Sequence, residues 1–238
     1  MPMILMDPGG ITRSDKDGVM VQRHFDDELA ELRQKLAVMG SLAESMIRQG
    51  ALMLMSPDDE TAEQLVKDED EVNRLHMAID ESCMRLLVLR QPVAVDLRLL
   101  ASALRMSSEL ERIGDQSINL MKRARKLRGE SPVALPIDLQ PLIDVVVRMV
   151  NDSLDAFSRK DVSLAKRVLE LEQNADDLRH LYEDELAVAG EERGKDVLFY
   201  IQLTLIVYHL ERIGDHATNI AEDVIFLVEG EDIRHQHL

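Results

Sequence analysis

The chain has 238 residues, with 28 lysines and arginines against 45 aspartates and glutamates, so its formal charge is −17. This length accommodates one large domain or two small ones, each with a real core. The negative charge argues against nucleic acid as a partner, because phosphate backbones bind electropositive surfaces. The one cysteine, Cys83, excludes an internal disulfide framework and suits the reducing cytoplasm.

The composition predicts an all-α protein. The chain has 3% aromatic residues, no tryptophan, seven prolines and 31% charged residues. A β-sandwich of this size needs more aromatic and β-branched residues and more turn signals. The first residues lack a basic leader, and the longest apolar stretch is shorter than the ~18 residues of a membrane span. We therefore expect a soluble, cytoplasmic protein.

Hydrophobic periodicity predicts six long antiparallel helices, arranged as two tandem, similar three-helix bundles. The helices are expected at about 24–55, 58–89, 93–128, 138–157, 162–189 and 195–228. Gly129 is expected to end the third helix in the left-handed conformation. The predicted organisation is a flexible N-terminal arm at 1–22, a first repeat at 23–129, a linker at 130–137, a second repeat at 138–229 and a C-terminal tail at 230–238.

A five-residue motif occurs twice in the chain. Glu111-Arg112-Ile113-Gly114-Asp115 recurs as Glu211-Arg212-Ile213-Gly214-Asp215, at an offset of 211 − 111 = 100 residues. At the same offset Asn119 matches Asn219. Five identical consecutive residues at equivalent helix positions indicate the internal duplication of a three-helix unit.

Each motif places two carboxylates on one helix face. At about 100° per residue, Glu111 and Asp115 lie about 40° apart on the side that also carries apolar residues. Antiparallel packing then predicts which residues face them. The facing pairs are Glu69 with Asp115, Asn73 with Glu111, Glu172 with Asp215, and Asp176 with Glu211. Since adjacent helix axes are ~8–10 Å apart, inward-pointing carboxylates would meet at metal-bridging distance.

These eight residues are the candidate metal ligands. Oxygen-rich, sulfur-free clusters suit magnesium, calcium, manganese, iron or carboxylate-bound zinc, and the sequence does not distinguish among these ions. Two alternatives remain open. One is a set of structural salt bridges between the acids and Arg112 or Arg212, and the other is a rotation of the helices that exposes the acids to solvent.

The motifs resemble those of the PhoU family, accessory regulators of the phosphate-specific ABC transporter in bacteria. The resemblance covers residues 23–235 and is carried by the doubled motif, Ala78-Ile79-Asp80-Glu81, Arg90-Gln91-Pro92, Asp96-Leu97-Arg98 and Asp232-Ile233-Arg234-His235. It implies two three-helix bundles, usually a homodimer, and multinuclear metal clusters on Glu/Asp-x-x-x-Asp motifs. Those motifs map onto Glu111/Asp115, Glu172/Asp176 and Glu211/Asp215. The fourth pair departs from the pattern, because the residue four positions after Glu69 is the neutral Asn73.

The resemblance also implies a role. Family members repress the phosphate-starvation response when phosphate is plentiful, by contacting the sensor histidine kinase and the transporter's ATPase subunit at the inner face of the membrane. The alternative is a carboxylate-bridged metalloenzyme of the di-iron type. Such enzymes use Glu-x-x-His motifs in four-helix bundles, and the sequence contains none. We therefore expect a non-enzymatic regulator that reaches the membrane only through its partners.

Overall fold

In a computed structural model the chain folds into six α-helices. They are α1 (Arg13–Met55), α2 (Asp59–Arg90), α3 (Ala94–Glu130), α4 (Gln140–Arg159), α5 (Val162–Arg193) and α6 (Val197–Glu229). The structure describes residues 13–130, 135–193 and 197–234, and it gives the backbone alone for 13–24, 128–130 and 192–193. No strand occurs in these ranges, so the predicted all-α class is confirmed.

Helix α2 begins and ends close to where the sequence signals predict. Asp58 caps the start of α2 by accepting a hydrogen bond from the backbone N–H of Thr61 at 2.7 Å. At the other end, α2 stops at Arg90, and Gln91 takes a left-handed conformation with a φ of 47°. Pro92, which has no backbone N–H, then prevents the helix from continuing. The turn at Gln91 and Pro92 therefore fixes the register between α2 and α3.

Two helix ends differ from the sequence-based expectation. α1 begins at Arg13, which is 24 − 13 = 11 residues before the predicted start, so residues 13–22 are helical rather than an arm. A helix that has nucleated adds one hydrogen bond per residue and extends through polar sequence without an apolar period. α3 continues through Gly129 to Glu130, so Gly129 is not a left-handed cap. Residues 1–12, 131–134 and 235–238 of the predicted arm, linker and tail lie outside the described residues.

The helices form two three-helix bundles that meet through α3 and α6. The helices within each bundle contact one another, and α1 also contacts α4, while α2 and α5 do not touch in the described part of the chain. α3 and α6 run antiparallel. Arg98 donates a hydrogen bond to the carbonyl oxygen of Leu227 at 3.3 Å near one end, and Arg123 donates to Gln202 at 3.3 Å near the other.

One apolar core runs through both bundles. Its largest fully buried side chains include Leu32, Met39, Met46, Leu65, Leu100 and Met106. Cys83 is buried in α2, and burial raises the pKa of its thiol to about 12, so the thiol stays protonated and unreactive. No helix of the described residues has an apolar stretch long enough to cross a membrane.

The motif glycines lie at the centre of each bundle. A Cβ atom on Gly114 would stand 3.4 Å from Cε of Met46 in α1, and one on Gly214 would stand 3.6 Å from Cε of Met149 in α4. A methionine thus covers each glycine, as expected of a duplicated unit. The motif acids on either side of each glycine face the partner helices α2 and α5.

Candidate metal centre

The predicted ligands form one group in each bundle. The first carboxylate cluster, on α2 and α3, consists of Glu69, Asn73, Glu111 and Asp115; the second carboxylate cluster, on α5 and α6, consists of Glu172, Asp176, Glu211 and Asp215. All are half-buried except Asp115, which is exposed. The alternative in which the helices are rotated to leave the acids in solvent is therefore not observed.

In the first cluster, α2 faces α3 in the expected register. Burial raises the pKa of Glu69, and the negative charges of Asp115 and Glu111 raise it further. Burial likewise raises the pKa of Glu111, and Asp115 adds to that rise. The positive charge of Lys122 opposes the shift at Glu69 without cancelling it. Three carboxyl groups therefore act on one another across this helix pair.

In the second cluster all four carboxyl groups act on one another, compared with three in the first cluster. Burial raises the pKa of Glu172, and the charges of Asp215 and Asp176 raise it further. Burial and Asp215 also raise the pKa of Glu211, and burial with Asp176 raises that of Asp215. All four side chains are thus electrostatic neighbours, and their negative charge is only partly compensated.

The motif arginines do not neutralise these acids by salt bridges. Arg212 donates a hydrogen bond to the Tyr208 hydroxyl at 2.8 Å, and its guanidinium lies 5.6 Å from the centre of the Tyr208 ring. Arg112 is exposed. Neither arginine forms an ion pair with a cluster carboxylate anywhere in the described residues. Both therefore act on the clusters only at longer range.

A different arginine, Arg179 on α5, contacts the second cluster. Its Nε lies 3.5 Å from a carboxylate oxygen of Glu211, and two hydrogen bonds of 2.9 and 3.0 Å hold it to Glu183. Arg179 lowers the pKa of Glu211 but does not offset burial and Asp215. The sequence interpretation missed this residue. Its position three residues after Asp176, on the same helix face, was the available signal.

A buried histidine links the two clusters across the interface between α3 and α6. Nδ1 of His216 lies 2.7 Å from Oε2 of Glu109, and the same oxygen accepts a hydrogen bond from Asn219 at 3.1 Å. Nε2 of His216 has no partner in the described residues. When protonated, His216 opposes the burial-driven rise in the pKa of both Glu111 and Asp215. The sequence interpretation missed this link as well, although His216 directly follows a predicted ligand.

A second histidine contact crosses the interface between α3 and α6 at the equivalent position, with an amide in place of the carboxylate. Nδ1 of His209 lies 2.9 Å from Oε1 of Gln116. His209 is the counterpart of Glu109 (209 − 109 = 100), and Gln116 is the counterpart of His216 (216 − 116 = 100). An approximate two-fold relation between the bundles therefore pairs an imidazole with a carboxylate on one side and with an amide on the other.

The clusters are neighbouring groups and not a preassembled metal cage. Within the described residues, no three histidine, cysteine, aspartate or glutamate side chains surround a common point where an ion would be held. The donor chemistry nevertheless fits a hard cation, because seven of the eight predicted ligands are carboxylates and the eighth, Asn73, offers an amide oxygen. Burial is the main cause of the raised pKa values, and the neighbouring negative charges add to it.

Comparison with known proteins decides the family. The PhoU domain matches this chain twice, at residues 36–124 and 139–224, once in each bundle. The chain belongs to the PhoU family. A PhoU homologue of Pseudomonas putida is 37% identical over 220 residues, covering 92% of this chain and 86% of that protein. One of Aquifex aeolicus is 35% identical over 211 residues, covering 89% and 96%. Both are named phosphate-specific transport system accessory proteins.

Solved structures of the PhoU family share the fold. The crystal structure of PhoU from Pseudomonas aeruginosa matches with a TM-score of 0.83 and 35% identity, over 87% of this chain and all of that one. PhoU from Streptococcus pneumoniae, a phosphate transport system regulatory protein, matches with a TM-score of 0.79 and 29% identity, over 87% and 98%. The family and the two-bundle fold inferred from the motifs are thus confirmed.

Proposed function

We propose that this protein is a non-enzymatic regulator of phosphate uptake. In this proposal it represses the phosphate-starvation response by contacting the ATPase subunit of the phosphate ABC transporter and the phosphate-sensing histidine kinase. The observation that carries the proposal is the PhoU-domain match in both bundles, together with relatives that are accessory proteins of phosphate-specific transport. The protein acts as a cytoplasmic homodimer at the inner face of the membrane, where it is held by its partners. Its charge of −17 disfavours nucleic acid as a further partner.

The second element of the proposal is that the two carboxylate clusters bind metal ions. Glu172, Asp176, Glu211 and Asp215 would hold ions in the second cluster, and Glu69, Asn73, Glu111 and Asp115 in the first. Support comes from the raised pKa values of five of these carboxyl groups, because a divalent cation relieves the repulsion that helps to cause them. Iron, zinc, manganese and magnesium all accept such oxygen ligands.

The first cluster should bind ions more weakly than the second. It contains neutral Asn73 where the second cluster has Asp176, and its Asp115 is exposed. A site with fewer charged ligands and more competition from water has a lower affinity for a divalent cation. Ions bound to either cluster would also join two helices of a bundle, and so stabilise the surface that the bundle presents to partners.

A chromosomal deletion tests the regulatory role. Phosphate-starvation genes should be expressed at high phosphate in the deletion strain, and the wild-type gene should restore repression. Normal repression in the deletion strain would rule out the role. Complementation with Asp176→Ala/Asp215→Ala separates the metal element from the regulatory one. If this variant restores repression fully while binding no metal in its second cluster, the ions of that cluster are not needed for regulation.

A further inference from the structure

A cavity of about 500 Å³ opens between α1 and α4, along the line where the two bundles meet. We call it the seam pocket. Its floor is apolar and comes from three helices, through the buried side chains of Leu36, Leu99, Met106 and Leu227. Its volume falls in the range of roughly 300–1,000 Å³ that is usual for small-molecule sites. None of the eight cluster residues lines it, so it is distinct from the candidate metal centre.

The close approach of α1 and α4 gives the seam pocket one of its walls. A Cβ atom on Gly40 of α1 would lie 2.8 Å from Cδ2 of Leu154 on α4. Only a glycine at this position leaves room for Leu154 where it stands, and Leu154 lines the pocket. Phe157, one turn further along α4, extends the apolar wall.

The rim of the seam pocket carries two exposed cationic side chains. Arg33 on α1 and Lys160 at the end of α4 are exposed, and neither side chain has a hydrogen bond or ion pair within the described ranges. The two acids of the rim, Glu44 and Asp155, are each paired at 2.9 Å with an arginine one turn away. The charge left to attract a ligand is therefore positive, on a protein whose formal charge is −17.

We propose that the seam pocket binds a single-chain amphipathic anion. Its hydrocarbon tail would lie on the apolar floor, and its carboxylate or phosphate headgroup would contact Arg33 and Lys160. Burial of each methylene group favours binding, and the two cations select a negative headgroup over a neutral one. A small polar anion such as inorganic phosphate would leave the floor unfilled. Because the pocket lies between α1 and α4, the ligand would contact both bundles at once.

Calorimetric titration of the full-length protein with defined amphiphiles tests this. The probes are hexanoate, octanoate and decanoate, with octyl phosphate as the phosphate-headed form and 1-octanol as the neutral control. Octanoate or octyl phosphate should bind once per chain and at least fivefold more tightly than octanol. Each pair of added methylenes should tighten binding about fifteenfold, the change that corresponds to ~0.8 kcal/mol per methylene. Which headgroup binds more tightly distinguishes a fatty acid from a phosphate-headed lipid.

Variants connect the binding to the pocket. Arg33→Gln/Lys160→Gln should reduce the affinity for octanoate to that for octanol and leave octanol binding unchanged. Lys166 is an exposed lysine on α5, so the control variant Lys166→Gln should change neither affinity. Ala37→Trp places an indole at the mouth of the pocket from an exposed helix position and should abolish binding of both probes. Circular dichroism verifies that each variant is folded, and Ser41→Trp replaces Ala37→Trp if the latter is not.

Three results would overturn the proposal. One is that neither anion binds more tightly than octanol. Another is that the anion preference survives Arg33→Gln/Lys160→Gln. The last is that binding persists when a folded tryptophan variant fills the mouth of the pocket.

Discussion

The carboxylate of Glu109 on α3 and the imidazole of His216 on α6 meet at 2.7 Å in the middle of the interface between the bundles. Their side chains are only 17% and 4% exposed. Burial alone would raise the pKa of Glu109, yet the hydrogen bonds from His216 and Asn219 bring it below its ordinary value. Glu109 is therefore ionised at neutral pH and joins the two bundles.

Removing this carboxylate should destabilise the protein. Glu109→Ala leaves the Nδ1–H group of His216 and the Asn219 amide without their acceptor in a buried interface, at a cost of about 1–3 kcal/mol in the free energy of unfolding. Urea denaturation at pH 7 measures the loss. Asp152→Ala serves as the control, because its partner Arg148 is 66% exposed and its loss should cost under about 1 kcal/mol. Equal losses in the two variants would contradict the role of Glu109.

Asp223 should make stability depend on pH near neutrality. Its carboxylate lies 3.0 Å from Nε of Arg105, but the two atoms do not form a hydrogen bond. Burial raises the pKa of Asp223 to about 7 in spite of Arg105, compared with 3.8 for an ordinary aspartate. The folded state therefore retains a proton that the unfolded state releases between these two values. The contribution of Asp223 to stability falls as the pH rises through this range.

Asp223→Asn should remove that dependence. Because the asparagine resembles the protonated aspartate, the variant should gain stability over the wild type as the pH rises from about 3.8, and this advantage should be complete above about pH 7. Urea denaturation at several pH values provides the comparison, and all other titrating groups are shared by the two proteins. Parallel pH profiles would show that burial does not raise the pKa of Asp223 in the folded state.

Two buried glycines should respond to alanine in opposite directions. A Cβ atom on Gly214 meets Met149 at an ordinary 3.6 Å, so Gly214→Ala should gain the helix preference of alanine, about 0.5–1 kcal/mol. A Cβ atom on Gly50 meets the carbonyl oxygen of Ser117 at only 3.2 Å. Backbone cannot easily move away, so Gly50→Ala should be destabilising. Thermal unfolding of both variants tests the pair. Destabilisation by Gly214→Ala would mean that the bundle centre is tighter than described.

The carboxylate clusters should give the ion-free protein an unusual response to acid. Five of their carboxyl groups have raised pKa values, namely Glu69, Glu111, Glu172, Glu211 and Asp215. The folded state then binds protons more tightly than the unfolded state, and its stability falls as the pH rises above about 4.5. In the presence of chelator, the melting temperature should rise when the pH is lowered from 7 to 5.

The Asp223→Asn background removes the other carboxyl group whose raised pKa contributes to this rise. His209, whose pKa is lowered by burial, opposes the rise equally in every variant compared. In that background, Asp176→Ala/Asp215→Ala should reduce the remaining rise, because fewer like charges then face one another. Differential scanning fluorimetry gives the melting temperatures. An equal change in melting temperature on acidification in both proteins would show that the clusters do not repel as described.

The sequence predicted the duplicated fold and the facing helices of each bundle, because these depend on local signals. The turn at Gln91 and Pro92 sets the register of α2 against α3, and that register places Glu69 beside Asp115. The packing of α3 against α6 could not be predicted in the same way. It joins residues about a hundred positions apart, and no turn determines which faces meet. Glu109 and His216 were missed for that reason.

The alternative in which Arg112 and Arg212 form salt bridges with the motif acids is not observed in the described residues, for a related reason. Arg112 and Arg212 are next to the motif acids in sequence, but consecutive residues on a helix point in directions about 100° apart. Arg212 therefore contacts Tyr208, one turn earlier, rather than Glu211. Arg179 reaches Glu211 because α5 packs against α6 with this residue on the facing side. Residues that are adjacent in the sequence of a helix therefore need not contact the same side-chain partners.

The central claim is that the carboxylate clusters bind ions, and metal analysis of protein purified without an affinity tag tests it most directly. Metal content and melting temperature would be measured with and without chelator, for the wild type, Asp176→Ala/Asp215→Ala and Glu69→Ala. The wild type should contain bound metal and lose stability on chelation, by about 2.7 kcal/mol if ions were at a hundred times their dissociation constant. The double variant should fold without metal in its second cluster, and Glu69→Ala should have a smaller effect. A wild type that contains no metal and whose melting temperature is unchanged by chelator would contradict the account.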